Sequence, residues 1–107
     1  MDAQLKKGIL EMCILQILSK EDTYGYPLMQ TMQDYFPTMD ESTIYTILRR
    51  INKEGYTETY YSDKSGGPTR KYYHLTIAGK DRLSQMNSEW ETIISIVNNI
   101  KKGGELP

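Results

Sequence analysis

The 107-residue chain has one cysteine, one histidine, a formal net charge of −1 and no long apolar run. Because Cys13 is the single cysteine and His74 the single histidine, an internal disulfide, a cysteine cage and a multi-histidine metal site are excluded. The longest apolar run, Met12–Leu15, is far too short to span a membrane. The N-terminus shows no apolar segment typical of a secretion signal, so we expect a cytoplasmic protein without cofactors or membrane contact.

Positive charge is concentrated in the middle of the chain. Residues 41–82 carry eight basic and five acidic side chains, whereas residues 1–40 carry three basic and six acidic ones. A local basic patch of this kind can bind nucleic acid, although a solvated surface of mixed charge has a similar composition. The spacings of nucleophilic catalytic sites, phosphate loops and metal sites are absent, so we expect no enzyme. We expect the acidic residues at helix caps and solvent faces.

Apolar spacing predicts three helices in the first half of the chain. The segment Gln4–Ser19 is apolar around more than one face, so we expect both the domain and a second subunit to cover it. A second helix is expected from its N-cap Thr23 to about Phe36. A third is expected over Glu41–Glu54, with Gly55 as its C-terminal stop.

The third helix, with Asp40 as its expected N-cap, combines one apolar stripe with a polar opposite face. The stripe consists of Ile44, Ile47, Leu48 and Ile51, and the opposite face of Ser42, Thr46, Arg49 and Lys53, flanked by Tyr45 and Arg50. A helix that is packed on one side and polar and basic on the other can enter a DNA major groove. An ordinary amphipathic surface helix has the same pattern and remains the alternative.

Two segments rich in β-forming residues follow, Thr57–Ser62 and Thr69–Leu75, with a turn between them. The basic side chains at this turn are Lys64, Arg70 and Lys71. Three helices followed by a hairpin, with basic residues on the third helix and the hairpin tip, is the order of a winged helix-turn-helix. We therefore predict a mainly α fold with a small β-hairpin (α+β), whose hairpin cations contact phosphates.

The last segment predicts a helix of about 25 residues that begins at Thr76 and carries a heptad seam. The seam consists of Leu83, Met86, Trp90, Ile93, Val97 and Ile100. So long a helix extends beyond a small domain, and a second copy across a twofold axis is its expected partner. We expect a winged-helix domain over residues 1–75, a dimerisation helix over 76–102 and a flexible tail over 103–107.

Several segments match one known family in order and spacing. They are Leu5–Glu11, Tyr24–Tyr26, Ser42–Ile51, Gly55, Gly66–Thr76 and Gly79. Over about residues 4–100 the chain resembles the short members of the PadR family of bacterial transcriptional regulators, with Thr46 standing where many members have proline. The resemblance implies a homodimer with paired C-terminal helices, the first helix of one subunit packing on the other. It also implies a repressor of a palindromic operator.

By position, the resemblance implies a set of residues that face double-stranded DNA. They are Tyr24, Ser42, Thr43, Tyr45, Arg49, Lys64, Arg70 and Lys71. Some relatives hold flat aromatic drugs at the dimer interface on a tryptophan at the position of Trp90, whereas packing in the dimer core is its alternative role. Met12, Met86 and Ile93 would complete such a slot for a small aromatic effector.

Two other functions fit the same pattern. The first is a winged-helix protein–protein adaptor that does not bind DNA, which would carry apolar or acidic residues on the exposed face of its third helix. The second is a small-molecule or stress sensor in which DNA release is secondary. Cys13, inside an apolar helix, is expected to be a small buried hydrophobe, and His74 to lie on a strand surface.

Overall fold

The structure, a computed structural model, describes residue 6 and residues 8–104. The helices are α1 (Ile9–Lys20), α2 (Gly25–Tyr35), α3 (Glu41–Lys53) and α4 (Ile77–Lys101). The strands are β1 (Thr23–Tyr24), β2 (Thr57–Ser62) and β3 (Arg70–Leu75). This order confirms the predicted winged-helix architecture. The predictions for residues 4, 5 and 7 in the first helix and for residues 105–107 in the tail lie outside the described residues.

The predicted first helix is interrupted at Gly8, since Lys6 before it is also helical. Gly8 has a φ of 87°, a left-handed conformation that suits glycine, and α1 starts at Ile9 directly after it. Within the chain, α1 packs against α4, β3 and α2, whereas its cover by a second subunit stays a prediction. Its buried apolar residues are Leu10, Ile14, Leu15 and Leu18, and Met12, Cys13 and Ile17 are partly buried.

A short strand precedes α2 where an N-cap is expected. Thr23 pairs with Tyr73 and Tyr24 with Tyr72, so β1 adds to the hairpin in an antiparallel sheet of order β1-β3-β2. The prediction of Thr23 as N-cap is wrong, because Tyr24 occupies that position. A two-residue strand is too short to show the alternation by which strands are recognised in a sequence.

The hairpin has the predicted strands and an unbroken register from Thr57 opposite Leu75 to Ser62 opposite Arg70. Tyr73 and Leu75 share the inner face and pack into the core, as their spacing predicts. Tyr72 points to the outer face but is only 5% exposed. The sheet therefore has an aromatic outer face in addition to its core face.

The third helix agrees closely with its prediction. Ile44, Leu48 and Ile51 are buried, and Asp40 is the N-cap residue, although its side chain makes no capping hydrogen bond. Gly55 follows the helix with a φ of 84°, the left-handed conformation typical of a C-terminal stop. The buried stripe fixes which side of α3 faces solvent.

The last helix begins at the predicted N-cap, since Thr76 Oγ1 accepts a 3.0 Å hydrogen bond from the Gly79 N–H. It runs for 25 residues and packs along α1 through its first half. Leu83 joins the core there, whereas the second half extends away from it. The described chain is consequently elongated, with a longest dimension of 57 Å.

Gly79 is expected to be essential for the packing of α4 on the hairpin. A Cβ atom there would lie 2.1 Å from the Tyr56 carbonyl oxygen and 2.6 Å from Leu75 Cδ1. We expect Gly79→Ala to lower the free energy of unfolding by about 1–3 kcal/mol, measured by urea denaturation. Gly67→Ala is the matched control, because nothing lies within 4 Å of a Cβ at that position. Equal losses in the two variants would contradict the close approach.

Candidate nucleic-acid interface

The polar face of α3 is exposed to solvent. Ser42, Thr46, Arg49 and Lys53, here called the polar row, are all exposed on the side opposite the buried stripe. The Arg49 Nη2 group donates a 3.2 Å hydrogen bond to Thr46 Oγ1. This bond orients the guanidinium along the helix surface, where its remaining N–H groups are free to donate outward.

Two further candidates on α3 lie beside the polar row. Tyr45 is half-buried, and a Cβ at Gly25 would lie 3.0 Å from its ring, so this tyrosine packs against the start of α2. Thr43 is exposed on the other flank, in the first turn of the helix. Both side chains border the polar row, but of the two only Thr43 is exposed.

The outer face of the sheet brings Tyr24 together with two of the candidate cations. Tyr24, Tyr72 and Tyr60 form a row across the three strands, with ring centroids 5.4 and 5.5 Å apart. The Arg70 guanidinium lies 5.4 Å from the Tyr24 ring, and Lys64 Nζ lies 4.3 Å from the Tyr72 ring. Cation–π contacts of this kind hold the two charges close to the sheet.

Lys71 is separated from this cluster by the alternation of strand side chains. It is exposed, and its Nζ lies 5.9 Å from the Tyr73 ring on the other face of β3. The hairpin of β2 and β3 is the wing of the fold, and its three cations do not form one patch: Lys64 and Arg70 lie over the outer face, and Lys71 lies apart.

Asp22 is a residue of this site that sequence reasoning misses. The Tyr60 hydroxyl donates a 2.6 Å hydrogen bond to Asp22 Oδ2, and His74 Nδ1 lies 2.8 Å from Asp22 Oδ1. Lys64 Nζ in turn donates a 2.6 Å hydrogen bond to the Tyr60 hydroxyl. The Asp22 carboxylate, in the connector before β1, thus contacts a residue of each hairpin strand, and through Tyr60 it is linked to Lys64.

The electrostatics of this network favour the charged forms of Asp22 and Lys64. Partial burial alone would raise the pKa of Asp22, but hydrogen bonds from Tyr60 and His74, together with the charges of His74 and Lys64, lower it below its ordinary value. The hydrogen bond to Tyr60 raises the pKa of Lys64 above its ordinary value.

The lowered pKa of Asp22 makes its contribution to stability dependent on pH. A carboxylate whose pKa is lower in the folded state stabilises the fold above its unfolded-state pKa, and this contribution is lost as the pH falls through the folded-state value. We expect Asp22→Asn to be less stable than the unsubstituted protein at pH 7, with the difference closing below about pH 4. Urea denaturation across this range measures it, with the exposed Asp34→Asn as control. A difference that persists unchanged to pH 3 would contradict the network.

A second polar network corrects two expectations about charge. Glu11 is only 2% exposed, contrary to the expectation that acidic residues lie at caps and solvent faces. Its carboxylate pairs with Arg50 of α3 and Arg82 of α4, and Arg50 also pairs with Glu54. Arg50 flanks the polar row in sequence, but these carboxylates hold its guanidinium, so it is not a free cation of that face.

The predicted seam of α4 divides into two parts. Leu83 is 6% exposed and Met86 half-buried, and both pack on the core of their own chain. The later positions Trp90, Ile93, Val97 and Ile100, here called the apolar stripe, are 38%, 53%, 43% and 66% exposed. The described residues therefore leave the apolar stripe uncovered, whereas the first two seam positions are used within the chain.

An apolar groove lies where the apolar stripe meets α1 and α2. Its volume is about 400 Å³, and its lining includes Met12, Cys13, Met32, Phe36 and Trp90. The groove brings Met12 and Trp90 together, as a ligand slot requires, but Met86 and Ile93 are not among its lining residues. Burial raises the pKa of the Cys13 thiol, which supports its expected role as a small hydrophobe.

The described residues form neither a metal-binding cluster nor a membrane-spanning helix. Over residue 6 and residues 8–104, no three His, Cys, Asp or Glu side chains are grouped so that they could hold a metal ion. Within the same range, no helix combines the length and apolar character that crossing a bilayer requires. The exposed polar helix face and the basic hairpin remain the features that define the site.

This fold and site define a DNA-binding regulator of the winged-helix class. The sequence model of the transcriptional regulator PadR-like family matches residues 14–85. The chain therefore belongs to the PadR-like family, whose members are transcriptional regulators rather than enzymes.

Individual relatives agree with this assignment over nearly the whole chain. A PadR-like transcriptional regulator from Bacillus cereus is 39% identical, with 96% of this chain and 100% of that chain covered and a TM-score of 0.86. A Streptococcus transcriptional regulator is 34% identical, with 94% and 99% covered and a TM-score of 0.87. An uncharacterised protein from Lysinibacillus sphaericus is 33% identical over 102 residues, 92% of this chain and 94% of that protein.

Proposed function

We propose that the protein is a homodimeric repressor that binds a palindromic operator through the polar row of α3. The observation that carries this proposal is the exposure of the polar row on the side of α3 opposite the buried Ile44, Leu48 and Ile51, on a domain that also presents a basic hairpin. An adaptor surface would be expected to carry apolar or acidic residues there, so the row favours DNA over a protein partner.

Within the polar row, Ser42, Thr46 and Arg49 are the base-reading residues of the proposal. A guanidinium suits the O6 and N7 acceptors of guanine, and the hydrogen bond to Thr46 limits the rotamers of Arg49 before DNA arrives. Lys53 is the last residue of the row, at the C-terminal end of α3. Thr43 and Tyr45, which border the row, and Tyr24 on the outer face of the sheet contact phosphates, and the hairpin cations Lys64, Arg70 and Lys71 follow the DNA backbone.

The apolar stripe of α4 supports a dimer. Four large apolar side chains in heptad spacing are 38–66% exposed in the single chain, and pairing with a second α4 would remove them from water. In the proposed dimer, Met86 closes the stripe at its domain end, and Leu83 supports it from the core. A twofold axis places two α3 helices in successive major grooves, about 34 Å apart.

Selection of binding sites from genomic fragments tests the proposal directly. Fragments retained by the protein at physiological salt should share a sequence with twofold symmetry, since two identical reading helices require two half-sites. Retention that follows fragment length alone, with no shared sequence, would show that binding is electrostatic and non-specific.

A small aromatic effector is the second part of the proposal, and the groove at Trp90 favours it. The groove is apolar, has about 400 Å³ of volume and opens beside the apolar stripe, so a flat ligand there would also touch the dimer contact. Such a ligand can release DNA only to the extent that it prefers a different spacing of the two α3 helices.

Trp90 fluorescence reports on this groove because it is the single tryptophan of the chain. We expect planar aromatic drugs to quench it in a saturable manner, with stacking adding about 0.5–1.5 kcal/mol per ring pair. Met12→Glu, which places a charge in the groove lining, is the matched variant and should weaken the quenching. The absence of saturable quenching across a broad panel would contradict the aromatic effector.

A further inference from the structure

The strongest unexplained feature of the molecule is a buried carboxylate held by two arginines. Glu11 is only 2% exposed, yet every other acidic residue whose burial the structure describes is at least partly accessible. Its Oε1 lies 2.5 Å from Arg50 Nη2, and its Oε2 accepts a 3.1 Å hydrogen bond from Arg82 Nε. Each carboxylate oxygen therefore has a guanidinium of its own.

The three charged side chains come from three different helices. Glu11 belongs to α1, Arg50 to α3 and Arg82 to α4, so one carboxylate links the helix that carries the polar row to the helix that carries the apolar stripe. A buried carboxylate is costly without such partners, because desolvation favours its neutral form and an unpaired charge is strongly destabilising. The network therefore favours one relative placement of the two guanidinium groups.

The same two helices meet a second time at Tyr56. The Tyr56 N–H donates a 2.9 Å hydrogen bond to the Ile51 carbonyl of α3, and its carbonyl accepts a 3.1 Å hydrogen bond from the N–H of Thr76, the N-cap of α4. The Arg82 guanidinium lies 5.7 Å from the Tyr56 ring. Arg82 thus contacts both Glu11 and the residue that joins the end of α3 to the start of α4.

We propose that Glu11 is a positioning residue that sets the angle between α3 and α4, and with it the spacing of the two polar rows in the dimer. The inference rests on the proposed function. Because the α4 helices pair across the twofold axis, a change in their angle to α3 moves the two polar rows relative to each other. The carboxylate touches no DNA and acts through the two arginines.

This role predicts an effect on spacing that loss of stability alone would not produce. When Glu11 or Arg82 loses its charge, α3 is held less firmly relative to α4. The dimer should then tolerate half-sites at more than one separation. Contacts within one half-site depend on the polar row itself and should change little.

The experiment compares binding to the selected operator with binding to the same operator carrying one extra base pair between its half-sites. Fluorescence anisotropy on the full-length dimer gives the affinity for each DNA. The spacing ratio is the affinity for the selected operator divided by the affinity for the lengthened one. We expect Glu11→Gln and Arg82→Gln each to lower this ratio by roughly tenfold relative to the unsubstituted protein, and the double variant to lower it little further, since both break one network. Glu91→Gln, an exposed charge change on α4, is the matched control and should keep the ratio.

The outcomes separate this inference from the proposed function. An unsubstituted protein without preference for either spacing would overturn the proposed function and the inference with it. Measurements of mass and of cooperative unfolding show whether both variants are folded dimers. If they are, and both retain the preference of the unsubstituted protein for the selected spacing, the inference alone is overturned. If Glu11→Gln fails to fold, Arg82→Gln carries the test, since its side chain is 35% exposed and leaves the core intact.

Discussion

Val97→Glu is expected to convert the dimer into monomers. Val97 is 43% exposed in the single chain, so glutamate there should not disturb the fold. In a twofold pair, however, two carboxylates would face each other across a desolvated seam, and the dissociation constant should rise on the order of a hundredfold or more. Light scattering at micromolar concentration should return twice 12.4 kDa for the unsubstituted protein and a single 12.4 kDa chain for the variant.

Ser95→Glu is the control for this substitution. Ser95 is exposed and lies on the other side of α4 from Val97, so the same added charge should leave the dimer intact. Operator binding should fall with the loss of the dimer, because each half-site would then bind a separate chain. A clean monomer before any substitution, or an unchanged dimer in Val97→Glu, would contradict the role of the apolar stripe.

Arg49→Ala and Lys64→Ala are expected to weaken DNA binding in different ways. Loss of a bidentate guanine contact costs about 1–3 kcal/mol at one base pair, so Arg49→Ala should reduce binding to the operator far more than to random DNA. Lys64 carries a phosphate contact in this proposal. Its removal should therefore weaken all sequences alike and reduce the slope of log affinity against log salt by about one unit.

Anisotropy titrations against both DNAs at several salt concentrations separate the two effects. Lys64 is exposed and held to the sheet by Tyr60 and Tyr72, so its replacement should leave the core intact. If Arg49→Ala lowers affinity for operator and random DNA by the same factor, Arg49 is not a base reader. If Lys64→Ala changes discrimination but not the salt slope, Lys64 does not contact phosphate.

The sequence predicts best those features that a single element determines. The stripe of α3 repeats over a whole helix, so its buried residues Ile44, Leu48 and Ile51 and its exposed polar row both follow from spacing. The start of α4 at Thr76 and the stop at Gly55 follow in the same way from local capping chemistry.

The two charged networks could not be predicted in this way, because they join distant parts of the chain. Asp22 lies 52 residues from His74, and Glu11 lies 71 residues from Arg82. No periodicity connects such positions. A glutamate within an otherwise apolar face of α1 is the one signal that was available for Glu11, since a charge at a buried helical position requires a partner.

Heptad spacing predicts the seam of α4 as one unit, but packing within the chain divides it. Because α1 lies along the first half of α4, Leu83 and Met86 pack on the core, and only the later positions remain exposed. Heptad spacing identifies an apolar surface but does not state which partner covers each part of it. The order of the helices in space supplies that information.

Footprinting of the selected operator tests most directly whether the polar rows of two chains read one DNA duplex. Hydroxyl-radical cleavage should show two protected half-sites on one face of the DNA, related by twofold symmetry and centred about 10 base pairs apart. Protection should disappear when Arg49 is replaced by alanine in both chains. A single asymmetric protected segment, or half-sites on opposite faces of the duplex, would contradict the paired arrangement of the α3 helices.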